Sequence, residues 1–259
     1  MNRIDELFKN KKRDVLSVYF CAGSPAPDNT ADVIRALELN GVDMVEIGIP
    51  FSDPMADGPV IQDAATRSLH GGMSLRKLFG QLADIRRDVK IPLVLMGYIN
   101  PIMQYGFDEF CKKCSETGID GLIIPDLPYR EYVNKYRETA RRHGLEMIML
   151  ITPETEEERI RLIDSDSEGG FIYMVSSAAT TGAQKDFDAQ KQAYFARIEA
   201  MNLRRPRMIG FGVSNTATYN AAAAHAAGVI IGSRFVTLLN ESNNADSAIK
   251  QLLKDIGRI

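Results

Sequence analysis

The chain has no tryptophan, only three cysteines and only three histidines in 259 residues. An odd, low cysteine count provides no disulfide framework and fits a reducing compartment. Cys111 and Cys114 form a C-x-x-C, but zinc would need two further ligands. Only Cys21 and the scattered His70, His143 and His225 remain to supply them. The pair reads instead as part of an amphipathic helix interior, and each histidine falls at a predicted helix end, where solvation or capping is its expected use. No apolar run is long enough to span a membrane, since the longest, near residues 15–23 and 91–99, have strand length. The polar start Met1-Asn2-Arg3-Ile4-Asp5-Glu6-Leu7-Phe8 shows no hydrophobic signal segment, so the cytoplasm is the expected location. Charge is not polarised either: 31 basic and 34 acidic residues give a net charge of −3. No basic block or stripe is visible, which argues against a nucleic-acid or polyanion partner. Any bound phosphate must then be held mainly by backbone N–H groups. Also missing is a Pro/Gly/Ser-rich linker or a shift in composition, so residues 1–259 are expected to form one domain.

What is present is alternation. Short apolar, β-branched runs at 15–21, 43–49, 92–98, 121–124, 146–151, 171–175, 207–211 and 229–232 predict eight strands. Helix-like stretches separate them, at 30–39, 75–89, 107–117, 131–143, 155–165, 194–202, 216–226 and 245–256, with an additional N-terminal turn or two at 4–9. A helix in each gap between strands implies parallel pairing through right-handed crossovers. Eight such units predict a single α/β (β/α)8 TIM barrel with an extra N-terminal helix. An open doubly wound sheet would satisfy the same alternation. Gly41, Gly118, Gly144 and Gly228 each precede a strand, where helix C-cap glycines are expected. The two longest gaps, 50–91 and 176–207, follow the second and sixth strands, and so begin at the C-terminal mouth, where barrel enzymes carry their chemistry.

Strand two places Val45, Ile47 and Ile49 on one face and Met44, Glu46 and Gly48 on the other, the presumptive barrel interior. An ionised Glu there is costly unless paired or protonated. Desolvation raises a carboxyl pKa, as a general acid near neutral pH requires. The alternative is a Glu held by a structural Arg or Lys. The following loop, Phe51-Ser52-Asp53-Pro54-Met55-Ala56-Asp57-Gly58-Pro59, is stiffened by proline. Its aspartates are ordinary turn formers in isolation, and three acids at one mouth are also compatible with a divalent metal, although no histidine supports that. Strands seven and eight end in Gly210-Phe211-Gly212-Val213-Ser214-Asn215 and Ile231-Gly232-Ser233-Arg234. A helix is predicted after the first of these loops, and in phosphate-binding barrels the anion sits between the loops after strands seven and eight, at the N-terminus of a short extra helix. Ordinary strand-to-helix turns would use the same residues.

The run Glu46-Ile47-Gly48-Ile49-Pro50-Phe51-Ser52-Asp53-Pro54-Met55-Ala56-Asp57-Gly58-Pro59 closely resembles the signature of the tryptophan synthase alpha subunit family. Supporting matches follow in order along essentially the whole chain: Ala22-Gly23-Ser24-Pro25, Tyr98-Ile99-Asn100-Pro101-Ile102, Pro125-Asp126-Leu127-Pro128, Tyr173, Thr181-Gly182, Gly210-Phe211-Gly212 and Gly232-Ser233. The resemblance implies retro-aldol cleavage of indole-3-glycerol phosphate to indole and glyceraldehyde 3-phosphate, with no cofactor in this chain. It implies acid–base work for Glu46 and, for Asp57, a hydrogen bond to the indole N–H that stabilises developing positive charge. Substrate contacts fall to Tyr19, Tyr173, Thr181 and Phe211, and the phosphate to Gly182, Gly212, Gly232 and Ser233. A pyridoxal-phosphate beta subunit is the implied partner, in an α2β2 assembly, docking at Asp53, Pro54, Met55 and Asn100. The chain departs from the family pattern at Ser177, where Arg is common, at Ala179, where Gly is common, and at Cys21, where Thr is usual. Open beside this reading stand a free-standing lyase, a non-catalytic barrel that only activates a partner, and an unrelated sugar-phosphate isomerase barrel. The intact Glu46 and Asp57 count against the second of these, and the long run from Glu46 to Pro59 against the third.

Overall fold

A computed structural model describes residues 1–176 and 187–259. Nine parallel strands are present: β1 Val15–Cys21, β2 Met44–Gly48, β3 Leu93–Met96, β4 Gly121–Ile123, β5 Glu146–Met147, β6 Met149–Ile151, β7 Ile172–Val175, β8 Arg207–Gly210 and β9 Gly228–Ile231. Their spatial order is β5-β4-β3-β2-β1-β9-β8-β7-β6. The two end strands of that order are consecutive in the chain, joined through Ile148, whose N–H bonds to Leu122 O at 2.9 Å. β5 and β6 are thus the halves of the single predicted fifth strand, and the ring closes through the covalent chain at that point. Closure decides between the barrel and the open sheet in favour of the barrel.

Period-two alternation holds around the ring and separates two cores. Val15, Tyr19, Met44, Val94, Ile123, Ile148, Tyr173, Met208 and Ile230 point inward and pack together. The residues between them, among them Val18, Val45, Ile47, Leu95, Leu122, Met174, Ile209 and Val229, pack outward on the helices. The N-terminal helix Arg3–Asn10 plugs the lower end of the barrel with Ile4 and Phe8, and the Phe8 ring lies 5.8 Å from that of Phe171. Asn2 caps this helix on Ile4 N at 2.9 Å and anchors it by donating to Asp120 O and Gly144 O.

Several helices depart from the sequence reading. Pro59–His70, Ile99–Tyr105 and Ser233–Ser242 were not anticipated. The first two carry proline in their first turn, where the missing N–H is unsatisfied anyway and costs the helix nothing. The predicted helix 75–89 stops at Leu82 and resumes as a 3₁₀ turn, Ile85–Arg87. The predicted 131–143 helix starts at Tyr129 and contains a π-turn at Tyr132–Tyr136. The predicted 194–202 helix begins at Ala189, because Asp188 caps it by accepting Lys191 N–H at 2.9 Å. Gly41, Gly118 and Gly144 have the left-handed φ of helix ends. Gly228 does not; it opens β9, where a Cβ would run into Val15 O of the neighbouring strand. Its role is therefore close strand approach rather than capping. Cys111 and Cys114 are buried in the helix Phe107–Thr117, as expected, and His143 and His225 sit at helix ends against Asp108 and Glu199.

Candidate active site

Glu46 points into the barrel from β2 with no solvent exposure. Its Oε1 accepts a hydrogen bond from Ser17 Oγ at 3.0 Å, across the pairing that sets Tyr19 opposite Glu46. Its Oε2 has no hydrogen-bond partner among the described residues. Among the described residues no Arg or Lys pairs with it, so the alternative of a structurally paired Glu does not hold. Burial pushes its carboxyl up to about 8 from the ordinary 4.5, against the opposing pull of Ser17.

Above it, Tyr19 and Tyr173 occupy the interior. A Cβ at Gly48 would collide with the Tyr19 hydroxyl, and one at Gly210 with that of Tyr173, so these inward glycines make room for the rings. Burial raises both phenols, and the negative charges of Glu46 and Asp57 add to the shift. For Tyr173 the Glu46 charge is the largest influence after burial.

Asp57 comes from the loop between β2 and the helix Pro59–His70, and is buried although the loop is not. Tyr98 holds it: the hydroxyl donates to Asp57 Oδ2 at 3.0 Å and accepts Ala56 N–H at 3.0 Å. Burial raises the Asp57 carboxyl, and the Tyr98 hydrogen bond works against that rise. The Phe51 ring lies 5.3 Å from the Tyr98 ring and ties the same loop to the end of β3.

Tyr19, Asp57, Tyr173, Phe211, Gly212, Gly232 and Ser233 line one narrow cavity at the C-terminal mouth. Glu46 is not on its wall but lies beneath it, behind the tyrosines. Phe211 and Gly212 both have left-handed φ, +68° and +82°. Ser176 fixes this turn by donating to Phe211 O at 2.6 Å, and the Phe211 ring meets Tyr173 edge-on at 6.0 Å. Gly232 is the N-cap of Ser233–Ser242, so the free N–H groups of that helix's first turn open into the same cavity. Asn215 caps the neighbouring helix Thr216–His225 by accepting Thr218 N–H at 3.1 Å. The geometry thus brings together both carboxylates' surroundings and an anion-binding helix end. Thr181 and Gly182, and the departures Ser177 and Ala179, lie outside the described residues. A larger cleft of about 790 Å³ opens at the opposite end of the barrel and contains none of the predicted site residues.

Sequence reasoning missed Ser17, Tyr98, Ile61 and Arg234 as site residues. Ser17 was detectable as the one polar residue on the inward face of β1. Tyr98 lay in a matched segment without an assigned role. Ile61 belongs to an unanticipated helix, and Arg234 lines the cavity while paired to Asp255 at 2.5 Å. Met55, 85% exposed, and the exposed Asp53 stand on the mouth loop with half-buried Pro54; Asn100 is exposed on the adjacent helix. Among the described residues no group of three His, Cys, Asp or Glu side chains is placed to hold a metal ion.

A stability prediction follows from Glu46. The native carboxyl keeps its proton up to about pH 8, whereas the unfolded one loses it near its ordinary 4.5. The native state therefore binds more protons in this window, and stability falls as pH rises through it, then levels off. The raised Asp57 adds to the same slope. Each unit of displacement corresponds to about 1.4 kcal/mol. Glu46→Gln should gain stability relative to the wild type between about pH 5 and about pH 8 in urea unfolding. A difference independent of pH would show that the carboxyl is hydrated in the native protein.

Comparison with known proteins gives a consistent result. Residues 6–257 match the family model described as tryptophan synthase alpha chain. The tryptophan synthase alpha chain of Bacteroides fragilis is 66% identical over 252 residues, covering 97% of this chain and 95% of that one. The crystal structure of tryptophan synthase subunit alpha from Legionella pneumophila superposes with a TM-score of 0.87 at 33% identity, covering all of both chains. A tryptophan synthase complex from Pyrococcus furiosus gives a TM-score of 0.85 at 31% identity, covering 96% of this chain and all of that chain.

Proposed function

From the premise that the chain belongs to the tryptophan synthase alpha chain family, we propose how its residues divide the work. The family's reaction is a carbon–carbon lyase step in tryptophan biosynthesis, the cleavage of indole-3-glycerol phosphate to indole and glyceraldehyde 3-phosphate. The alpha chain carries no cofactor; pyridoxal phosphate belongs to the beta subunit with which it assembles. The observation that carries the assignment is the buried Glu46 carboxyl with an unbonded Oε2.

Cleavage requires a proton at indole C3, breakage of the bond from C3 to the side chain, and loss of the proton on the neighbouring hydroxyl. A carboxyl held near 8 is protonated at neutral pH and can supply the first proton. Its carboxylate can then accept the hydroxyl proton as the aldehyde forms, which restores the starting state. One group therefore balances both transfers. Because Glu46 is not on the cavity wall, this work requires its side chain to turn towards the cavity. Asp57 faces the indole N–H and opposes the positive charge that grows on the ring after protonation. Tyr19, Tyr173 and Phe211 form the ring pocket, together with Thr181. The phosphate rests on N–H groups at Gly212, Gly232 and Ser233, with Gly182 completing the cradle.

We assign the beta-subunit contact in an α2β2 assembly to Asp53, Pro54, Met55 and Asn100, supported by the exposure of Met55 and Asn100 beside the mouth. Residues 1–259 act as one catalytic domain, since all the helices pack on one closed ring of strands. The cytoplasm is the proposed location; three free cysteines favour a reducing compartment, and no described helix is long and apolar enough to cross a membrane.

The direct test is indole release from indole-3-glycerol phosphate by the purified chain, with and without a beta subunit. Slow release that rises strongly with the partner is the expected result. Fast release that the partner leaves unchanged would identify a free-standing lyase, and no release in either condition would overturn the assignment.

A further inference from the structure

Folding creates a feature that the linear sequence hides. Two short basic segments far apart in the chain meet at the N-terminal end of the barrel, opposite the mouth. Lys9, Lys12 and Arg13 come from the end of the first helix and the approach to β1. Arg204, Arg205 and Arg207 come from the approach to β8 and its first residue. Together they line one groove of about 490 Å³. Among the described residues none of the six stands in an ion pair.

The nearby acids are already engaged. Asp5 accepts Gly170 N–H at 2.9 Å, and Glu168 pairs with Arg141 at 2.9 Å. Asp164 accepts the backbone N–H groups of Arg204 and Arg205, at 3.0 and 2.8 Å, and Glu199 is bonded to His225 at 2.7 Å. The last two act on Arg207 as charges without a hydrogen bond. Lower in the groove, Arg205 and Arg207 are half-buried, and the Nε of each is shielded and has no hydrogen-bond partner. Like charges that the neighbouring acids, Glu146 beside Arg205 among them, offset only in part repel one another, and a buried donor without an acceptor costs free energy. A fold retains such a cluster cheaply only when something anionic offsets it.

We propose that this groove is a binding site for a small, multiply charged phosphate compound, with linked phosphates as the recognised group. Guanidinium edges match phosphate oxygens in bidentate fashion; Arg207 provides one such edge beside Arg205, a terminal nitrogen of which already donates to Ser167 O at 2.5 Å. A single phosphate would neutralise only part of a six-cation groove, so a chain of phosphates is the better fit. Its concavity favours a small molecule over a flat membrane surface. Neither the catalytic carboxylates nor the mouth cavity is involved, because Arg207 stands at the opposite end of β8 from the Gly210–Gly212 turn.

The test is calorimetric titration of the full chain with inorganic tripolyphosphate at fixed ionic strength, with excess glycerol 3-phosphate occupying the mouth. One saturating binding event is expected, weakening as salt is raised. Arg207→Gln should weaken it by about tenfold or more. If that variant does not fold, the double variant Lys12→Glu with Arg13→Glu, both exposed positions, takes its place and should show a similar loss. Lys112→Glu with Lys113→Glu, on a distant helix, should leave binding unchanged. A nucleoside triphosphate that competes with tripolyphosphate would support the same site and indicate a nucleotide-borne source; failure to compete would point to the inorganic anion. No saturable heat, binding abolished by glycerol 3-phosphate, or equal loss in the Lys112/Lys113 control would overturn the proposal.

Discussion

Replacing Glu46 by Gln should lower the rate of indole formation by about 10²- to 10⁴-fold while the barrel remains folded. The amide has nearly the same shape and can still accept the Ser17 hydroxyl, 3.0 Å from Oε1 in the wild type. What it loses is the transferable proton. The fold should survive because the site already holds a neutral carboxyl: burial keeps Glu46 protonated up to about 8. A neutral amide therefore introduces no new charge into the interior. Turnover and circular dichroism are measured on the same sample. Turnover within about threefold of the wild type, with an intact spectrum, would remove Glu46 from the acid–base role, since general catalysis by a placed carboxyl contributes far more. The companion variant Glu46→Asp keeps the proton and withdraws it by one methylene; it should recover little activity, because proton transfer requires hydrogen-bond reach.

Asp57→Asn should reduce turnover by about 10²-fold or more, with a smaller effect on the Michaelis constant. The argument rests on where charge appears. Indole N–H gains positive character only after C3 is protonated, so a carboxylate opposite it stabilises the transition state more than the bound substrate. Asparagine keeps the oxygen that Tyr98 binds at 3.0 Å and removes the charge. Tyr98→Phe probes the complementary loss: it leaves the charge and releases its tether, together with the Ala56 N–H contact. Its effect on turnover should be smaller than that of Asp57→Asn. If Asp57→Asn turns over at the wild-type rate, Asp57 is only a turn former in an Asp-Gly-Pro loop.

The sequence alone determined what depends on short-range periodicity. Alternation placed Val45 and Ile47 on the helix side and Met44 and Glu46 inside, as the two cores show. Eight strands separated by helices implied parallel pairing, and the glycine loops at the ends of the last two strands do line the mouth cavity. Backbone period and turn chemistry are local, so they can be read along the chain. Ring closure at Ile148, Ser17 as the partner of Glu46, and Tyr98 as the support of Asp57 were decided by tertiary structure. Ser17 and Glu46 are 29 positions apart, and only the strand register, which pairs Ser17 with Met44 and Tyr19 with Glu46, brings them within hydrogen-bond reach on the diagonal. The first-turn prolines of Pro59–His70 and Ile99–Tyr105 looked like loop signals because proline ends a helix elsewhere but is tolerated at its start. The basic groove shows the same limit most plainly. Along the chain its cations fall in two short runs, at 9–13 and 204–207, too far apart to read as one patch. The N-terminal helix docks beside the entry to β8, and that contact places six like charges in one groove. Electrostatic potential depends on distances in space, and the fold sets those distances.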